Sequence, residues 1–157
     1  MPMFRQGDMW SVFDDADLFL ITTNSTLKGG SNGPRLVMGR GIARQARDRF
    51  PGLDIALGRH IHADCGHLGR YGLLVSPRRP AAKLGAFQVK THFAPPASLD
   101  LIQFSTSALC AWCRSHPDAR VHLNFPGIGN GRLTPAGVRP IVMQLPEIVT
   151  IWSYPSA

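Results

Sequence analysis

The sequence predicts a three-layer α/β domain built on a mainly parallel sheet, and three observations carry that expectation. Strand-like and helix-like segments alternate from residue 17 onward, as βαβ units require. Two of the strands, 17–23 and 120–125, each lead into a glycine-rich turn followed by a helix. The 157 residues are 44% hydrophobic, enough for one domain with a single sizeable core.

Taken in order, Gly7-Asp8-Met9-Trp10 is expected at the end of a first strand, before Val12-Phe13 and an acidic turn at Asp14, Asp15 and Asp17. Locally, Asp8 reads as a turn residue. Asp17-Leu18-Phe19-Leu20-Ile21 is a short apolar run, read as a buried strand. It ends in the small polar residues Thr22, Thr23 and Asn24, at the strand end where open α/β sheets bind ligands. A loop rich in glycine spans Leu27–Pro34, and Met38-Gly39-Arg40-Gly41 opens a helix. Ile42, Ala43, Ala46 and Phe50 share its apolar face, Arg40, Arg44 and Arg47 lie on another, and Phe50-Pro51-Gly52 stops it. A second short helix is expected over Leu53–Ile61, followed by a polar surface loop with His60, His62, Cys65 and His67.

Tyr71–Val75 reads as a strand, Pro77 and Pro80 with two arginines as a turn, and Ala86–Thr91 as an alternating strand ended by Lys90. Ala94-Pro95-Pro96 breaks the chain, and Ser98 caps a helix with Leu101, Phe104, Ala108, Leu109 and Trp112 at helical spacing. Arg120–Phe125 is a strand that runs into the loop Pro126-Gly127-Ile128-Gly129-Asn130-Gly131-Arg132-Leu133. Thr134-Pro135 starts a last helix with Val138, Ile141, Val142 and Leu145 buried and Pro140 kinking or shortening it. Glu147–Trp152 is the last strand.

The chemistry follows from the strand–turn–helix units. Free backbone N–H groups and the helix dipole at residues 39–42 favour an anion, although an ordinary crossover fits the same residues. Neither the three-glycine dinucleotide fingerprint nor a Gly-Lys-Ser/Thr follows. A formal charge of +7 favours anionic partners. Aromatic residues make up only 8% and are not interleaved with the basic ones, which argues against an extended nucleic-acid surface. No apolar run is long enough to span a membrane, and the first residues lack a secretory signal, so a cytoplasmic protein is expected. Cys65, Cys110 and Cys113 are odd in number, which fits a reducing compartment. Cys110, Cys113 and His116, with Cys65 and His67, could assemble a zinc site, but buried thiols packed in a helix are the better reading, and no metal is expected.

Four motifs in order resemble the macrodomain family, and the resemblance covers nearly the whole chain. Gly7-Asp8-Met9-Trp10 is similar to Gly-Asp-Leu-Phe. Met38 to Ala43 matches Met-Gly-x-Gly-Ile-Ala, Val89-Lys90 is similar to a strand ending in Thr-Lys, and Gly127 to Leu133 is similar to Gly-Cys-Gly-Asn-Gly-Gly-Leu. The branch it most resembles contains the terminal ADP-ribose protein glycohydrolase and the macrodomain antitoxins that remove ADP-ribose from DNA. The resemblance implies one α/β/α macrodomain over 1–157 with a mixed, mainly parallel sheet, a monomer whose ligand or product is ADP-ribose, with no cofactor. It implies an ADP-ribosyl hydrolase acting on modified protein or nucleic acid. A non-catalytic ADP-ribose reader, or a phosphatase acting on phosphorylated ADP-ribose, are the alternatives.

The same resemblance assigns roles. Asp8 would accept from the adenine amino group and Met9 would pack on the ring. Met38 with Gly39-Arg40-Gly41-Ile42 would cradle one side of the diphosphate. Pro126-Gly127-Ile128-Gly129-Asn130-Gly131-Arg132 would close over the other. Thr22, Thr23 and Thr91 would line the site, Asn24 would face the distal ribose, and Lys90 would be catalytic at the anomeric carbon, which as a nucleophile demands a lowered pKa. One departure stands out: the protein glycohydrolase carries an aspartate where this chain has Gly131, and no acidic residue lies between Asp118 and Glu147.

Overall fold

The computed structural model describes residues 1–29, 33–75 and 83–154. Its centre is the strand β2, Leu18–Thr23, whose successive side chains go to opposite faces of the sheet. Phe19 and Ile21 enter one core with Met9, Trp10, Leu36 and Ile42; Leu18 and Leu20 enter a second with Ile102, Leu109, Val138 and Ile151. A strand buried on both faces needs apolar residues at every position, which is why this run is continuous and not alternating.

Around β2 lie β1 (Met3–Gln6), β5 (Leu73–Leu74), β6 (Leu84–Gln88), β7 (Val121–Asn124) and β8 (Val149–Ser153), in the order β1-β8-β7-β2-β6-β5. Every pairing is parallel except that of β5 with β6. A separate antiparallel pair, β3 (Leu27–Lys28) and β4 (Arg35–Leu36), stands inside the expected loop 27–34 and just after it. The helices α1 (Gly41–Arg49) and α2 (Leu53–Asp64) supply the first core, and α3 (Leu99–Ser115) and α4 (Pro135–Val142) the second. The result is a mixed, mainly parallel sheet between two helical layers.

Several boundaries differ from the sequence reading, each for a physical reason. Val12 and Phe13 lie in a 3₁₀ turn, Met9–Asp15, where Trp10, Phe13, Phe19 and Phe50 pack ring against ring. The helix opens only at Gly41, because Arg40 is extended. Helix α2 runs on to Asp64, so His60 and His62 sit on a helix and not in a loop; His60 reaches Asp64 at 3.7 Å. Only Leu73–Leu74 of 71–75 forms a strand, and the turn expected at Pro77–Pro80 lies outside the described residues.

Strand β6 ends at Gln88, two residues before Lys90, and does not alternate: all five of its residues are buried. The face of α3 is also rotated. Leu101 and Leu109 are buried with Ile102, Ser105, Thr106 and Cys113, whereas Phe104 is 46% exposed under the Arg70 guanidinium, 4.8 Å from its ring centroid. Ser105 faces the sheet, where its Oγ donates to the Gln88 carbonyl at 2.7 Å and an aromatic ring could not. Helix α4, with Pro140 inside it, is only eight residues long. Its cap Thr134 accepts at Oγ1 from the Gly137 N–H at 3.2 Å.

Candidate functional site

All four inner parallel strands end on one edge of the sheet, and the chain leaves β2 toward one face and β6 toward the other. Such a reversal of connection leaves a crevice beyond the strand ends. Here it is a cleft of about 980 Å³. Its floor is Thr22, Thr23 and Asn24 after β2, Val89 and Lys90 after β6, Asn124 and Phe125 after β7, and Trp152 and Ser153 of β8. One wall is Val37 to Ala43, the opposite wall Gly127 to Arg132. Lys28, Arg40, Lys90 and Arg132 line it, and no carboxylate does among the described residues. Four cations without an acid make the cleft a place for an anion.

The walls approach each other: a Cβ on Gly41 would lie 3.1 Å from the Asn130 Nδ2. Arg40 makes no side-chain cap at the start of α1, so the first turn presents its amides without a competing oxygen. The glycines of the far wall divide into two kinds. At Gly127 (φ +78°) a Cβ would meet Ile102 at 2.7 Å and Leu133 at 3.0 Å, so that residue is glycine for packing on α3. At Gly129 (φ +65°) a Cβ would meet nothing within 4 Å; it faces open space, leaving the backbone free to approach a ligand.

Lys90 spans the two loops beyond the strands. Its ammonium donates to the carbonyls of Phe93 (3.0 Å), Pro95 (3.2 Å) and Asn130 (3.2 Å). Partial burial pulls its pKa below the usual lysine value, and the Arg132 and Arg40 charges add to that pull. Arg132 is held beside it, in a left-handed conformation, donating to the Ala94 carbonyl.

Asn24 lies on the floor, but its amide is already used by the fold. Its Nδ2 donates to the Val37 carbonyl (3.1 Å) and its Oδ1 accepts from the Thr26 N–H (2.8 Å). Met9, Met38, Gly39, Ile42, Ile128 and Gly131 border the cleft. Asp8, Thr91 and Pro126 do not. Asp8 accepts at Oδ1 from the Trp10 N–H (3.0 Å) and so caps the 3₁₀ turn. The Thr91 carbonyl accepts from Ser25 and Thr26, and Pro126 is buried.

The chain reading missed Asn124, Phe93, Trp152 and Tyr154. Strands β2 and β7 pair only as far as Leu20 and Leu123. Beyond that, the Asn124 amide bridges the gap, accepting from the Thr22 N–H (3.0 Å) and donating to the Thr22 Oγ1 (2.8 Å). Tyr154 stands exposed at the rim, its hydroxyl 3.3 Å from the Gln45 Oε1 that also receives the Trp10 indole N–H (2.7 Å). No local signal marks Asn124, Trp152 or Tyr154, since their side-chain partners Thr22, His122 and Gln45 are distant in the chain.

Among the described residues, no group of three or more His, Cys, Asp or Glu could hold a metal. Burial, with Cys110 adjacent, pushes the Cys113 thiol up to about 11. No helix among them is long and apolar enough to cross a membrane.

The sequence matches no protein-family model and no curated protein. Solved structures do match. The macrodomain of Mycobacterium tuberculosis DarG is 24% identical, with all of this chain and 99% of that one aligned, at a TM-score of 0.71. The macrodomain of Thermus aquaticus DarG is 22% identical over 99% of both chains, again at 0.71. Thermosipho africanus DarTG, solved in complex with ADP-ribose, is 18% identical; 97% of this chain covers 41% of that one, at 0.71. The chain has the macrodomain fold. In this chain the two glycine turns and the four cations occupy one continuous cleft.

Proposed function

We propose that the cleft binds ADP-ribose and that the protein hydrolyses the bond joining ADP-ribose to a modified protein or nucleic acid. The carrying observation is the wall chemistry: two glycine turns face each other across about 980 Å³, with four cations and no carboxylate among the described lining residues. A diphosphate requires backbone N–H groups and positive charge on both sides. That a DarTG structure of the same fold contains ADP-ribose supports the choice of ligand. The diphosphate would lie between residues 39–42 and 128–131. The adenine would lie toward Met9 and Trp152, and the distal ribose toward Asn24 and Lys90.

In hydrolysis, a water oxygen bonds to the anomeric carbon while the bond to the modified group breaks, and the leaving group takes the electron pair and a proton. Lys90 can serve in two forms. As an ammonium it supplies the proton or stabilises the leaving group. As an amine, having given up a proton, it bonds to the carbon as the bond to the modified group breaks and that group leaves with the electron pair and a proton; water then displaces the lysine and releases ADP-ribose. Partial burial and the two neighbouring arginines favour the amine. The three carbonyls that accept from its Nζ favour the ammonium. The two forms give opposite pH profiles. Turnover rises with pH through a value below the usual lysine range if the amine acts, and falls through the same value if the ammonium acts. Lys90→Ala would lower kcat by orders of magnitude while ADP-ribose still binds, whereas an electrostatic role alone would raise KM and spare kcat.

A second reading, a non-catalytic ADP-ribose reader, is favoured by the absence of any carboxylate in the described lining and by the bonds that hold the Asn24 amide to the fold at both its Nδ2 and its Oδ1. A panel of substrates with ADP-ribose on acidic residues, serine and DNA, assayed for released ADP-ribose, separates the two. Release from any member supports the hydrolase. An inert protein that still binds ADP-ribose, at about −8 kcal/mol for a micromolar site, is a reader. Equal or tighter binding of AMP would sink both.

A further inference from the structure

Behind the floor of the cleft lies a polar residue that neither touches the cavity nor has an apolar reason to be there. Gln88 is the last residue of β6 and is fully buried. Its Oε1 accepts from the N–H groups of Tyr71 (2.7 Å) and Gly72 (2.9 Å). Its Nε2 reaches the Gly69 carbonyl (2.9 Å), the Ser25 Oγ (3.1 Å) and the Lys90 carbonyl (3.3 Å). Ser25 carries the chain onward: its N–H and its Oγ both donate to the Thr91 carbonyl at 3.2 Å. Tyr71 completes the circuit, its hydroxyl paired with the Thr23 Oγ1 and donating to the Asn24 carbonyl at 2.8 Å. Burial pushes the Tyr71 phenol far up, so it remains a donor.

This network joins the segments that leave β2 and β6, the ones that carry Asn24 and Lys90. The assigned pairing of β2 with β6 ends at Thr23 and Gln88, and beyond it the direct backbone bonds between the two segments are those of the Val89 N–H to the Thr23 carbonyl (2.9 Å) and the Ser25 N–H to the Thr91 carbonyl (3.2 Å). An apolar residue at 88 would fill the space as well, but it would remove the bond to the Lys90 carbonyl and the one to Ser25, leaving residues 89–91 held by fewer directional contacts, since apolar contact is non-directional and hydrogen bonds are not. A fully satisfied buried amide fixes one arrangement. We propose that Gln88 is a positioning residue: acting through Ser25 and the Lys90 and Thr91 carbonyls, it sets where the Lys90 side chain stands over the cleft. This inference rests on the reading of Lys90 given under Proposed function.

Two measurements test it on the 157-residue chain, and the first needs no turnover. The chain has three lysines, Lys28, Lys83 and Lys90, so the side-chain Cε resonances of 13C-lysine-labelled protein are assigned with one Lys90→Arg control. Gln88→Met should move the Lys90 resonance and its titration midpoint and leave those of Lys28 and Lys83 in place. Ser25→Ala, a milder cut in the same chain of bonds, should move it in the same direction and carries the test if Gln88→Met does not fold. An unmoved Lys90 resonance in a folded variant overturns the proposal, as would equal movement of all three.

The second measurement is kinetic. Gln88→Met should lower kcat by about tenfold or more, with the ADP-ribose Kd within about threefold of wild type. In a Lys90→Arg background the same substitution should cost less than about twofold, because the two act through one group. Additive losses would mean that Gln88 only stabilises the fold. If the wild type hydrolyses nothing, the catalytic reading fails, and the resonance alone decides the positioning.

Discussion

At the scale of single residues, the cleft separates side chains that face a ligand from side chains that hold the fold, and the two kinds are neighbours in sequence. Gly39 and Gly129 both leave a Cβ position with nothing within 4 Å, in the cleft walls. A valine at Gly39 would occupy that space without backbone strain, whereas one at Gly129 adds about 1–3 kcal/mol of strain at positive φ. Gly39→Val should therefore weaken ADP-ribose binding about tenfold or more with an unchanged melting temperature. Gly129→Val should do the same with a lowered one. Calorimetry paired with thermal melts distinguishes the two, and undiminished affinity in both would remove these turns from the site.

His122 makes a residue-scale prediction of a different sort. Its Nδ1 accepts from the Trp152 indole N–H at 2.9 Å, a bond that an imidazolium cannot accept. Burial, followed by the Arg5 and Arg120 charges, lowers its pKa below 6.5. The unfolded chain therefore binds a proton more readily than the folded one. The stability tied to neutral His122 is fully present above about pH 6.5 and is lost as pH falls through the folded value. His122→Gln keeps an acceptor and cannot titrate. Melts at pH 7 and pH 5 should show a smaller acid-side loss in this variant than in the wild type, and an equal loss would assign the effect to other groups.

At the scale of elements, strand ends and helix starts carry both stability and the site. Helix α3 begins immediately after the Lys90 loop, and its Ser98 Oγ accepts from the Leu101 N–H at 3.2 Å. The Ser98 N–H in turn donates to the Val89 carbonyl at 3.0 Å, tying the helix start to the end of β6. Ser98→Ala should cost about 1 kcal/mol, as lost N-caps do, read from denaturant midpoints at constant m. No measurable loss would mean that water replaces the cap. The sequence marked this cap, along with Thr134, because capping chemistry is local. It misjudged the faces of α3 and β6, because which face is buried depends on the neighbour: the Gln88 backbone carbonyl takes the Ser105 hydroxyl, and Ser105 is interior where Phe104 is exposed.

At the scale of the whole molecule, the cleft exists only when β2, β6, β7 and β8 stand side by side and both helical layers are in place. A ligand that binds there stabilises the native state as a unit. At about one hundred times its Kd, ADP-ribose should add about 2.7 kcal/mol, equivalent to a melting shift of about 5–10 °C for a chain of this size. AMP at the same concentration should shift it less. A flat response to ADP-ribose in differential scanning fluorimetry would contradict the proposed ligand.

The sequence by itself determined the α/β class, the order of the elements and the two glycine turns. These depend on hydrophobic periodicity, caps and breakers, which act within a few residues. Only the tertiary structure decided that Asp8 caps a turn, that the Asn24 amide is occupied, and that Lys90 is tied to three carbonyls. It also brought Asn124 to Thr22, 102 residues apart in the chain, and Gln88 to Ser25, 63 apart. A side chain's hydrogen-bonding capacity is written in its residue type. Whether that capacity is left for a ligand depends on which distant backbone groups the folded sheet brings within about 3 Å of it.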